Sequence, residues 1–175
     1  MGLLNLKSKT AHKFIKKQRK AGALQREFNV VSIHRVGVLA ELSLIQTYDF
    51  TKRLSESLGL RQEDLKVFLF DVSGKGEAPG FYGMCDEKNF GFYAKIKSES
   101  LSKFVSTSFD LLINYCDPEL LFPKVIMLRS KAKLKAGFDA EANFFNDISV
   151  KTKGNDIDTF NAELVKYLQI LKLID

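Results

Sequence analysis

The sequence predicts an α/β fold, a three-layer Rossmann-like domain with a mostly parallel sheet, preceded by a basic amphipathic helix. Three observations predict it. Strand-like and helix-like segments alternate, which calls for crossover connections and so for a parallel sheet with helices on both faces. Two segments, Leu65 to Val72 (LKVFLFDV) and Phe109 to Asn114 (FDLLIN), are near-continuous apolar runs, as expected of strands buried on both faces. Residues 1–26 carry eight basic side chains and no acid, whereas the other residues hold 19 basic and 21 acidic ones, so the net charge of +6 resides in an N-terminal arm.

Placed at 100° per residue, Leu3, Leu4, Ala11, Phe14 and Ile15 share one sector with Lys7 and Gln18. Lys9, His12, Lys13, Lys16, Lys17, Arg19 and Lys20 fill the opposite sector, and Gly22 is a natural stop. The organisation expected is a helical arm over 1–26 and an α/β domain over 27–175. In that domain Ile33 to Ala40 reads as the first strand. A helix follows from about Ser43, with Leu44, Tyr48, Leu54 and Leu58 near one face and Gly59 closing it. After the strand Leu65 to Val72 comes an irregular segment, Ser73 to Gly91, holding Gly74, Gly76, Pro79, Gly80, Gly83 and Gly91. Phe90 to Lys97 suggests a short strand and Ser98 to Val105 a short helix. Beyond FDLLIN, Asp117-Pro118 is expected to open a helix running to about Ser130, Asp as its N-cap and Pro in first position. Lys133 to Phe138 and Phe145 to Val150 read as strands. Phe160, Leu164, Leu168 and Leu171 mark a final helix from about Ile157, capped by Asp156 or Asp158.

The block Phe109 to Phe138, FDLLINYCDPELLFPKVIMLRSKAKLKAGF, resembles an uncharacterised family of small proteins typical of the Bacteroidota. Its members carry a basic N-terminal helix, a strand like VGVLAE and a segment like SKAKLKAGF. The same block is more weakly similar to the N-terminal half of heptosyltransferase-type glycosyltransferases, where a comparable strand leads through a helix to a short strand with a glycine like Gly137. That likeness implies the fold. It implies little chemistry, because the second half that binds the sugar nucleotide there has no counterpart in this sequence.

Sites are weighed against plain structural roles. Gly74 and Gly76 form GxG after a strand, but Pro79 stands where the third glycine of a dinucleotide fingerprint belongs, and a flexible loop is the better reading. In open parallel sheets, ligands bind beyond the carboxyl ends of the strands. There the chain offers Glu41, Asp71, Ser73, Asn114 and Asp117, so Asp71, Ser73, Asn114 and Asp117 form a possible ligand edge. Phe81, Tyr82, Phe90, Phe92 and Tyr93 cluster near the irregular segment, where anchoring to the core is the simpler role and base stacking the sharper one. Two histidines and two isolated cysteines, Cys85 and Cys116, suggest neither a catalytic set nor a zinc site nor a disulfide framework. No cofactor or metal is implied.

The arm carries the functional expectation. Lys7, Lys9, Lys13, Lys16, Lys17, Arg19, Lys20 and Arg26 are expected to meet an anionic partner. RNA or a ribonucleoprotein is favoured slightly over an anionic membrane, with a protein partner as a further option, because the apolar sector is interrupted by Lys7 and Gln18. The expectation is a non-enzymatic binding or scaffold protein in the cytoplasm, or peripheral to the inner membrane face. The rival is a small-ligand-binding or glycosyltransferase-like enzyme or sensor working at the carboxyl edge.

Overall fold

The computed structural model of the protein describes residues 2–21, 29–139, 144–154 and 156–175. Gly22, Arg26 and the boundary expected near residue 26 lie outside the described residues, as do the side chains of Leu3 and Leu4.

Six parallel strands form one sheet, β1 (Val36–Glu41), β2 (Leu65–Phe70), β3 (Gly83–Cys85), β4 (Leu111–Asn114), β5 (Leu134–Phe138) and β6 (Ile148–Val150). Their order is β3-β2-β1-β4-β5-β6. Val36 pairs with Leu65 on one side and Leu111 on the other, so β1 is central and the connections reverse direction between β1 and β4. This is the Rossmann-like, three-layer arrangement, and it places the switch point beyond Glu41 and Asn114.

Period-two alternation sorts the strand residues onto two faces. Val36, Val38, Ala40, Val67, Leu69, Leu111 and Ile113 pack under α2 (Phe50–Leu58) and α5 (Ile157–Ile170). Leu39, Phe68, Phe70 and Leu112 pack under α3 (Glu99–Ser106) and α4 (Leu121–Arg129). On that second face Phe104 lies against Phe68 at 4.8 Å and Phe109 at 5.2 Å, while Phe90 stacks on Phe122 at 4.6 Å. Each such pair contributes about 0.5–1.5 kcal/mol beyond the area it buries.

Several sequence expectations shift in detail. The helix expected from Ser43 is split: a 3-10 turn spans Leu42–Gln46, and Asp49 then restarts the chain as α2 by accepting the Lys52 N–H at 3.0 Å. Gly59 does close α2, at φ 66°. The glycine-rich segment contains an edge strand, β3, that its composition concealed. Phe90 to Lys97 is no strand; a single Phe90–Ile96 bridge flanks a helical turn at Phe92–Ala94. Asp117 caps only one turn, accepting the Glu119 N–H, because Leu120 is extended and α4 starts at Leu121. Asp156 caps α5 through the N–H groups of Asp158 and Thr159, but Leu171 is exposed.

The N-terminal helix, α1 (Leu3–Lys20), does not stand apart. It packs on α4 and on the Phe92–Ala94 turn, with Ala11 fully enclosed and Phe14 and Ile15 against the core of that face. An Ala11→Asp substitution would bury an uncompensated charge there. It is expected to release α1, read as tryptic cleavage after Lys13, Lys16 and Lys17 that is faster than in the wild type.

Candidate nucleic-acid interface

Two polar anchors fix the rotation of α1. Thr10 Oγ1 accepts the Tyr93 N–H at 3.0 Å and donates to the Lys7 carbonyl at 2.8 Å. The Arg129 guanidinium lies 4.6 Å from the centroid of the Phe14 ring. Its Nε donates to the Ala94 carbonyl at 2.9 Å and its Nη2 to that of Tyr93 at 3.4 Å. These contacts hold Tyr93 and Ala94 at φ 54° and 59°, left-handed conformations that strain side-chain-bearing residues by about 1–2 kcal/mol each.

With Ala11 and Phe14 facing inward, Lys9, His12, Lys13, Lys16, Lys17, Arg19 and Lys20 are exposed. Among the described residues, Lys13, Lys16, Lys17, Arg19 and Lys20 meet no acid within ion-pair distance. Lys7 departs from the expectation for the arm: it is turned toward the protein and only 9% exposed, as its place in the apolar sector foretold. The asymmetry extends beyond α1. Helices α1, α3 and α4, on one face, hold ten cations and one acid, whereas α2 and α5, on the other, hold three of each.

The aromatic cluster divides. Phe90 is enclosed and Tyr82 packs on Phe104, as core anchoring requires. Tyr93, at 63% exposure, and Phe92, at 43%, remain open beside α1. The anchors Thr10 and Arg129, and the cations Lys95 and Lys131 near the same turn, were not singled out by sequence reasoning. Arg129 and the carbonyls it holds lie 35 and 36 residues apart, and no local pattern joins them.

The carboxyl edge is occupied largely by the chain itself. Asp71, 5% exposed, accepts the Ser73 N–H and hydroxyl on Oδ1 (2.8 and 2.7 Å) and the Lys75 and Gly76 N–H groups on Oδ2 (2.8 and 2.7 Å). Burial pushes this carboxyl up, but those four hydrogen bonds outweigh it and hold the pKa down to about 2. A Cβ at Gly76 would displace the end of the Leu42 side chain and crowd Asp71 Oδ2 at 3.1 Å, so the loop closes most readily with glycine there. Asp71 and Ser73 are thus brought together as the frame of a loop. Asn114 accepts the Cys116 N–H at 3.1 Å, and the Asp117 N–H donates to Glu41 at 2.7 Å, bridging β1 and β4 across the switch point. Next to Asn114's sheet partner Gly137, the Asn146 amide is buried with both polar atoms unpaired. Burial raises the thiols of Cys85 and Cys116, both unpaired, and so disfavours the reactive thiolate. Among the described residues, no group of three or more His, Cys, Asp or Glu side chains is placed to hold a metal ion, and no helix is long and apolar enough to cross a membrane.

The Asp71 geometry has a stability signature. A carboxyl whose folded pKa lies below its unfolded value near 3.9 stabilises the fold above that value, and loses the contribution as pH falls toward about 2. Asp71→Asn is therefore expected to lower unfolding stability by about 2 kcal/mol at neutral pH. In urea titrations the gap between variant and wild type should narrow progressively below about pH 4.

Comparison with known proteins gives one assignment. No curated protein and no solved structure matches the chain. One family model does match, over residues 7–171, from within α1 to just beyond the end of α5. The chain therefore belongs to the Family of unknown function (DUF6913).

Proposed function

We infer that this is a binding protein whose α1 face docks on RNA or a ribonucleoprotein. The observation that carries this reading is how α1 is divided: its apolar side chains Ala11, Phe14 and Ile15 are used in docking on the protein itself, while Lys9, Lys13, Lys16, Lys17, Arg19 and Lys20 face outward. An interfacial membrane helix needs its apolar face for the acyl boundary. Among the described α1 side chains, Leu6 is the one large apolar group that is mostly exposed. What remains is a dense cationic ridge without acids, suited to phosphates through counterion release.

A small-ligand site at the carboxyl edge is the second reading. It is favoured by the unpaired Asn146 amide beside Gly137, and disfavoured by the saturation of Asp71. A thermal shift with nucleotides or sugars that Asn146→Ala abolishes would support it.

Binding to RNA should weaken steeply with salt, with a slope of log K against log salt of roughly −0.7 per phosphate contacted on a single strand. Replacing Lys13, Lys16 and Lys17 with Gln should flatten that slope by about 2 and weaken binding. Filter binding across a salt series reads both. An unchanged slope, or retention on anionic vesicles with no RNA affinity, would defeat the reading.

A further inference from the structure

The ridge on α1 does not end at the helix. Tyr93 is tied to Thr10, and Lys13 and Lys17 lie one and two turns further along the same side of α1. The ring of Tyr93 is therefore an exposed aromatic surface beside the cations. Beyond it, the Arg129 that holds the Tyr93 and Ala94 carbonyls also lines a cleft of about 320 Å3 with Lys95, Ser102, Ser106 and Lys131. Cations thus flank the aromatic turn on both sides.

The turn itself is an outlier. A glycine would adopt φ 54° or 59° without strain, yet Tyr and Ala stand there, clamped by Thr10 and Arg129. Strain of this kind is kept where the surroundings over-determine it, and such positions gather at binding sites. Here it leaves a large ring in water next to the α1 ridge, although burying such a ring would be favourable.

We propose that α1, the Phe92–Tyr93 turn and the Lys95–Lys131 cleft form one track for single-stranded RNA, with phosphates on Lys13, Lys16 and Lys17 and a base stacked on Tyr93. This rests on the polyanion reading and narrows it. An aromatic platform needs a base with a free face, which a paired A-form helix does not offer. The groups assigned to the track, the cations Lys13, Lys16, Lys17, Lys95 and Lys131 and the ring of Tyr93, meet phosphates and base faces rather than base edges, so binding is sequence-tolerant.

The test uses the full chain with a single-stranded oligoribonucleotide carrying 2-aminopurine, and with the same strand paired to its complement, at about 100 mM salt. The single strand should bind at least about tenfold more tightly than the duplex, with quenching of 2-aminopurine fluorescence. Tyr93→Phe should retain both effects. Tyr93→Ala should weaken single-strand binding by about 5- to 100-fold and abolish quenching. The salt slope should not change, because it counts phosphates rather than stacked bases. Tryptic protection of α1 reports whether docking survives in Tyr93→Ala. If it does not, Tyr93→Leu, which keeps bulk without a π face, takes its place. Equal affinity for duplex and single strand, or undiminished binding and quenching in these variants, overturns the stacking track while leaving the polyanion reading intact. Absence of any salt-dependent RNA binding by the wild type overturns both.

Discussion

The clamp between α1 and the Phe92–Ala94 turn is the constraint on which the charged surface depends. Thr10 and Arg129 reach the turn from different elements, one through the Tyr93 N–H and the other through the carbonyls of Tyr93 and Ala94. Together they set the rotation of α1, and rotation decides everything else about that helix. A helix turned by 100° would bring its lysines to the wall of α4 and its phenylalanine to water. As it stands, enclosing Ala11 and laying Phe14 under a guanidinium requires the other sector to face out. The cationic ridge is thus a consequence of packing.

The two faces of the sheet are electrostatically unlike, although both are covered by helices. Under α2 and α5 the core mixes aliphatic side chains with the rings of Phe50, Phe138 and Phe160 around a buried polar chain, in which Tyr115 donates to Asn161 and Asn161 donates to Tyr48. The helices above it balance their charges, with Arg53 paired to Asp158 at 2.8 Å. Under α3 and α4 the core is richer in phenylalanine, and the covering helices are almost acid-free. The anionic partner proposed above would thus meet the side covered by α1, α3 and α4, opposite the face where charges already neutralise one another.

The parallel sheet was legible because its strands are written in a strong code. LKVFLF and LLIN are apolar at every pleat except Lys66 and Asn114, and such runs fit a sheet covered on both faces. The sidedness of α1 was equally plain, although Lys7, expected among the cations that meet a partner, turns inward. What stayed hidden has long-range causes. β3 is three residues long and exists because β2 offers it an edge at Phe68 to Phe70. The left-handed turn at Tyr93 has no glycine to announce it, since its conformation is imposed from Thr10 and Arg129. Asp71 looked like a ligand group because nothing in its own segment reveals that four donors two to five residues ahead would fold back onto it.

The docking of α1 also sets an order of events during synthesis. Everything α1 rests on, the turn at Phe92–Ala94 and helix α4, comes later in the chain. At ribosomal rates, roughly a hundred residues separate the completion of the helix from that of its berth, an interval on the order of 5–20 s. The segment leading into β1 waits longer still, because the Ile33 N–H is held by the carbonyl of Leu173, which follows α4 and α5 in the chain. The nascent protein therefore presents a cationic, half-apolar segment well before any surface exists to shelter it. Folding converts that two-faced helix into one with a single open face.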